Sequence, residues 1–168
     1  MLPFGHSAVG YLISQAAKPK LKAGAVWLIV AAANVFDLDF LVLTALGIPG
    51  GRHHYYPGHT PLMGLIYWLV IYFIFRSKFS RRIFILVALA LLSHLIIDDF
   101  SYWLTLIGLE KNVPSQINWL FPLTQKSALV EPLTNGDILR KYLIETPKLF
   151  YLEIMAVISA LIAARIKK

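Results

Sequence analysis

The sequence contains no cysteine. Disulfides, thiolate metal sites and cysteine nucleophiles are therefore excluded, and cysteine usage says nothing about redox compartment. Charge is also scarce: charged residues make up 15% of the 168 positions, against 58% apolar. Ordinary globular domains carry about 25% charged and roughly 45–50% apolar residues, so a soluble globular domain is not expected. No internal repeat and no low-complexity tract is present. The opening MLPFGH lacks a basic stretch ahead of its apolar run, so a cleaved secretory signal is not expected. Histidine is rare as well, with five in the chain, yet three of them fall within HHYYPGH, His53 to His59, between two apolar runs.

What the chain does have is long apolar segments. Five can be read: Leu2–Ala17, Ala23–Leu46, Pro61–Phe75, Ile83–Ile107 and Leu149–Ile166. A bilayer core needs about 20 apolar residues of helix. The second, fourth and fifth segments meet that length, and the shorter first and third fit by local thinning or burial against neighbours. The expectation is an all-α, polytopic membrane helical bundle of about five membrane-embedded helices, forming one integral-membrane domain over 1–168. Residues 108–147, with prolines and mixed charge, are expected to form an interfacial loop with short helices.

The net charge of +7 is organised rather than diffuse. KPKLK (18–22), RSKFSRR (76–82) and RIKK (165–168) each sit at the end of an apolar run. Such clusters are topology signals of the positive-inside kind, not a nucleic-acid footprint. Placing all three in the cytoplasm gives five crossings in a cell (inner, cytoplasmic) membrane. The C-terminus is then cytoplasmic, and the N-terminus, 47–60 and the long loop lie outside. The bilayer is thus the expected partner, and nucleic acid is not.

Polar residues inside these spans are costly, about 2.5–3.5 kcal/mol for a charge at mid-helix, and are functional candidates by default. ANVFDLDFLVL carries Asn34, Asp37 and Asp39. Asn34 and Asp37, three apart, share a helical face. Asp39 lies about 200° from Asp37, so one point does not easily receive both. No glycine or proline lies between Ala25 and Leu46, and the segment is expected to run as a continuous helix, with a loop between two shorter helices as the alternative. In LALLSHLIIDDF, His94 and Asp98 are four apart on one face. That spacing suits a shared metal ion, a carboxylate orienting an imidazole, or a structural hydrogen bond between helices. His6 alone reads as an interfacial or packed residue. Glu153 needs a cation or a donor, and Lys148 and Arg165 compete for it. The loop histidines could be incidental, with Tyr55 and Tyr56 as interfacial anchors and Pro57-Gly58 as a turn.

The proposed topology sets all of these in the outer half of the bilayer or at its outer surface. Histidine plus carboxylate without cysteine suits zinc or another divalent first-row metal, one to two ions. In an open site, such an ion makes water a nucleophile at neutral pH.

HSAVGYL, FDLDF, HYYPGHT and SHLIIDDF, in that order, resemble the YdjM-type integral-membrane proteins, a family taken to be metal-dependent hydrolases. Their pattern has an N-terminal histidine, a P-D-x-D-H element, an H-R-G-F-T-H-S element and H-x-x-x-D. His54 and His59 keep the spacing of the third element, and NWLFPLT (118–124) looks like the tryptophan–proline stretch that often follows. Phe36 replaces the family's proline, Phe40 its second-element histidine and Tyr55 its arginine, so Arg52 would have to take over any grip on phosphate.

The order is also similar to the zinc-dependent phospholipase C and S1/P1 nuclease superfamily. That similarity implies His6, Asp37, His59, His94 and Asp98 as ligands, with Asp98 able to bridge. The leading hypothesis takes Asp37, His59, His94 and Asp98 as core ligands, with His6 and His54 completing the site. Asp39, Asp99 and Glu153 would support the ligands or act as general base, with Arg52 and His53 toward the substrate. The resemblance thus implies a membrane-bound, metal-dependent hydrolase acting on a phosphoester of a lipid or lipid-linked substrate. The alternatives are a non-catalytic metal-binding scaffold and, less favoured for want of polar residues in the cytoplasmic half, a small-ion or metal transporter.

Overall fold

A computed structural model describes residues 2–17, 19–47, 54, 56–111, 113–124, 140, 144 and 147–166. Among the described residues the chain is helical, with no strand. The α-helices are α1 (Pro3–Ala16), α2 (Ala23–Ala32), α3 (Leu38–Ala45), α4 (Pro61–Phe75), α5 (Arg81–Asp98), α6 (Phe100–Leu106) and α7 (Pro147–Ile166). Short 3-10 turns at Val35–Asp37 and Pro57–His59 precede α3 and α4. In 108–111 and 113–124 only turns and bends follow the end of α6, whereas Arg140 and Ile144, further along the expected interfacial loop, are helical.

Among the described residues, α7 alone, over Lys148–Ile166, is long and apolar enough to cross a membrane unbroken. Two further spans arise if each of two bent pairs is counted as one: α2 with α3, bent by 53°, and α5 with α6, bent by 70°. α1 and α4, at 14 and 15 residues, are shorter; at 1.5 Å per residue each is about 21–23 Å long, under the roughly 30 Å of a hydrocarbon core.

The continuous helix expected over the second segment is not formed. α2 ends at Ala32, and the break has a cause the local sequence does not advertise. The Asn34 side chain donates to the Val30 carbonyl (2.8 Å), while the Asn34 backbone N–H closes a tighter bond to Ala31 O. The Ala33 carbonyl, free of a helical partner, lies 2.7 Å from Nδ1 of His94. Side chains thus take over backbone groups that would otherwise continue the helix, a common origin of kinks. The fourth segment is broken as well, at Asp99, which leaves helical geometry (φ −96°, ψ 19°).

α5 is the central element. It packs on α1, α2 and α4, and α1 also packs on α2 and α7. The buried stripe of α5 runs Ile83, Val87, Ala90, Leu91, His94, Leu95 and Asp98, the spacing of one helical face. Its apolar members meet Ala25, Ile29, Ala32, Ala33 and Phe36 in the core. α1 approaches α2 closely at Gly10, where an added Cβ would fall 2.8 Å from Ala33 Cβ. Small residues serve this purpose where helices associate in lipid. The outer faces carry Trp27, Leu65, Val70, Phe73, Ile85, Leu89 and, along α7, Met155, Ile158 and Leu161, all exposed. That surface is suited to lipid and not to water.

The ends of the bundle differ in character. The start of α1, the break after α2, the end of α5 and the start of α7 contribute His6, Asp37, Asp98 and Glu153 at one end. Lys20 and Lys22, the turn Arg76–Arg82 and Arg165 belong to the other. Gly24, at the start of α2, lies against Phe79 of that basic turn.

Candidate metal centre

Elements distant in sequence deliver histidines and carboxylates to one buried cluster. His6 comes from the first turn of α1 and His94 and Asp98 from the last turns of α5. Asp37 comes from the 3-10 turn and His59 from the turn ahead of α4. His6, His59 and His94 are fully buried, and Asp98 is 4% exposed. Thr60 fixes the His59 turn: its hydroxyl donates to Pro57 O (2.8 Å) and accepts from Met63 N–H (3.3 Å), capping α4.

Distances within the cluster are short. Nε2 of His94 lies 2.9 Å from Asp98 Oδ2, 3.2 Å from Nε2 of His59 and 3.8 Å from Asp37 Oδ1. Asp98 Oδ2 is also 3.2 Å from Nε2 of His54 and 3.8 Å from Nε2 of His59. The other oxygen, Oδ1, is 3.0 Å from Nε2 of His6. The rings pack accordingly: His6 stacks on His94 at 3.8 Å between centroids, and His54 meets His59 edge-on at 4.8 Å.

Hydrogen bonds at the far ring nitrogens decide where the lone pairs point. His94 Nδ1 faces the Ala33 carbonyl, which only accepts, so Nδ1 carries the proton. His59 Nδ1 faces the Asp39 carboxylate at 2.7 Å, with the same consequence. A neutral imidazole protonated at Nδ1 presents its lone pair at Nε2. Two such lone pairs therefore face each other across 3.2 Å, with a carboxylate oxygen beside them. That arrangement is repulsive without a cation. One proton can serve a single N–O pair; a metal ion serves the whole set.

The donor set fits such an ion. Tetrahedral zinc with bonds of about 2.0–2.1 Å keeps its ligands about 3.3–3.4 Å apart, and the observed separations of 2.9 to 3.8 Å bracket that value. Two groups can each hold an ion, His6 with Asp37 and His94, and His54 with His59 and Asp98. In each, the ligand atoms lie within 4.8 Å of one another. His6 Nδ1 is buried and makes no hydrogen bond among the described residues. The outer partners are those typical of metal-bound histidine, a carboxylate behind one ring and a backbone carbonyl behind another.

The six residues expected as ligands are thus brought together. Asp37 and Asp39 diverge, as their spacing required: Asp37 faces His94 from within the cluster, and Asp39 stands behind His59. Asp99 belongs to neither metal group. Buried, it accepts from Ser115 Oγ (2.5 Å), Gln116 N–H (2.7 Å) and Trp119 Nε1–H (2.7 Å), tying 115–119 to the end of α5. Glu153 of α7 accepts from Gly5 N–H at 2.9 Å, one residue before His6. Lys148, a possible partner for Glu153, reaches Glu110 instead (2.6 Å). Arg52 and His53 lie outside the described residues.

Three contributors have roles that the sequence did not assign. Ala33 acts through its backbone, which leaves no side-chain signal. Phe36 lies against both His59 and His94, with ring centroids 5.4 and 5.0 Å away. Asn34 links the break to Ser7 Oγ of α1 at 3.0 Å, and its position in an apolar run was the available clue.

Fold and site together define a helical membrane protein with a buried histidine–carboxylate cluster able to hold metal. The sequence profile of the YdjM inner membrane protein family matches residues 1–168. The chain belongs to that family. No curated protein and no solved structure matches it.

Proposed function

We propose that this protein is a membrane-bound, metal-dependent hydrolase acting on a phosphoester of a lipid or lipid-linked substrate. The observation that carries the reading is the facing pair of Nε2 lone pairs on His59 and His94, with Asp98 between the histidines. His6, Asp37, His54, His59, His94 and Asp98 would hold one or two divalent ions, zinc being the best match to nitrogen and oxygen donors without sulfur. Asp98, with Oδ1 beside His6 and Oδ2 beside His54 and His94, would be the ligand shared between two ions. When bound, such an ion polarises a phosphoryl oxygen and makes water nucleophilic at neutral pH.

The chain's own groups do the rest. Asp39 holds the His59 ring in register, and the Ala33 carbonyl does the same for His94. Asp99 anchors the strap 115–119. Glu153, bonded beside His6, is the carboxylate we assign to proton transfer from water. Arg52 and His53 are assigned to the substrate phosphate by resemblance. Hydrolysis then places the water oxygen on phosphorus and breaks the P–O ester bond, and the departing alcohol takes a proton. The similarity to the zinc-dependent phospholipase C and S1/P1 nuclease superfamily supports this chemistry by analogy of ligand order alone.

We further assign the chain one membrane-embedded unit of five helical segments. The cluster lies toward the outer face, and the basic end and C-terminus are cytoplasmic. The separation of acidic and basic residues between the bundle's ends supports that orientation. The test is a screen of detergent-purified, zinc-reconstituted protein against phosphomonoester and phosphodiester lipids, with His94→Ala as control. Turnover lost in the variant is expected. Stoichiometric zinc without turnover on either class would leave a metal-binding scaffold in place of the hydrolase.

A further inference from the structure

Beside the cluster, between α4 and α5, lies a groove of about 370 Å³ lined by Phe36, Gly64, Leu65, Trp68, Leu91 and Leu92, among other apolar side chains. Leu65 and Leu92, on its rim, are exposed. Phe36, fully buried, closes its inner end, with its ring lying against His59 and His94. The groove therefore opens on the outer, apolar face between α4 and α5 and is walled from the buried histidines by the Phe36 ring. Its floor depends on Gly64, where an added Cβ would lie 3.1 Å from Phe36 Cζ.

We infer that the groove holds one acyl chain of a phospholipid substrate, with Phe36, Leu65 and Leu92 as specificity-determining residues. The argument is one of continuity and chemistry. The cluster can take an anionic headgroup only through its cation, and the apolar surface adjoining it is this groove, which offers no polar side chain to a polar ligand. A methylene is about the size of a water molecule, about 30 Å³, so the groove takes on the order of ten methylenes of chain. Burial of those methylenes against α4 and α5 would hold the ester near the cluster, using binding energy remote from the reacting atoms. Lateral entry from the bilayer needs no opening of the bundle. The inference rests on the hydrolase reading for its headgroup and not for its chain.

The experiment uses zinc-loaded full-length protein in detergent micelles and phosphatidic acid whose palmitoyl chain ends in a diazirine. Photolysis and peptide mapping should place crosslinks at 61–68 and 88–95. Leu92→Trp, which fills the groove from its lipid-facing rim, should lower them about tenfold or more while bound zinc stays at the wild-type level. Crosslinks spread over the outer faces of α4 and α7 and insensitive to Leu92→Trp would overturn the groove. A second readout is the ratio of hydrolysis for dipalmitoyl over dihexanoyl phosphatidic acid, which should collapse in Leu92→Trp. Localised crosslinks without hydrolysis would uphold the groove and defeat the hydrolase. Hydrolysis indifferent to chain length, with scattered crosslinks, would do the reverse.

Discussion

The two helix breaks serve the same end of the bundle by different means. At the first, after Ala32, the backbone supplies the working group: the Ala33 carbonyl positions His94, and the 3-10 turn that follows presents Asp37 to the cluster. At the second, after Asp98, adjacent carboxylates divide the work. Asp98 turns inward to four histidines, whereas Asp99 turns away and collects three hydrogen bonds from 115–119. In lipid, a break is tolerated only where its freed polar groups find partners inside the protein. Here those partners are side chains of the buried histidine–carboxylate cluster at one break and a structural strap at the other. Neighbouring acids in a DD pair can therefore have unlike roles, and their substitution should separate them.

The largest effect expected is from Asp98→Asn. It removes the carboxylate shared by four imidazoles, and retained metal should fall to background on elemental analysis. If metal stays stoichiometric, Asp98 is not a ligand. Next is Asp39→Asn, which should weaken zinc by about 10–100-fold in a competition titration, the usual loss when the group behind a metal-bound histidine is changed. An unchanged affinity would reduce the Asp39–His59 contact to packing.

Asp99→Asn should behave oppositely to Asp98→Asn. Zinc affinity should change by less than about tenfold, within the range for indirect effects. Stability should drop by about 2–3 kcal/mol, seen as a lower denaturation midpoint, because a buried charged acceptor of three bonds is lost. If Asp99→Asn releases metal as Asp98→Asn does, the division of labour between the two acids fails. The smallest effect expected is from Gly58→Ala. Its Cβ would lie 2.8 Å from Asp39 Oδ2, pushing that carboxylate off His59. Zinc should weaken by several-fold, below the Asp39→Asn loss. A variant with wild-type affinity would show that Asp39 adjusts freely.

Much of this arrangement could be read from the chain. The five apolar segments correspond to α1, α2 with α3, α4, α5 with α6, and α7. The ligand set was visible because histidines and acids are so costly in apolar helices that their clustering stands out. The breaks were not visible at Ala32 and Asp99 because their causes are tertiary. The carbonyl that ends α2 is held by a histidine 61 residues away. Asp99 looked like a base because sequence shows the charge and not the strap that neutralises it. Phe36 was read only as a departure from the resembled pattern, and only packing sets it between a groove and two histidines.

The central claim is that a metal ion sits among the Nε2 atoms of His59 and His94 and the Asp98 carboxylate. The direct measurement is metal stoichiometry, by elemental mass spectrometry, of protein purified without chelators, wild type beside His94→Ala. At least one zinc or other first-row divalent ion per chain in the wild type, and a lower stoichiometry in a His94→Ala protein that still elutes as a folded species, with no ion beyond what His54, His59 and Asp98 can hold, is the expected result. A wild type that carries no metal even after zinc supplementation would contradict the account.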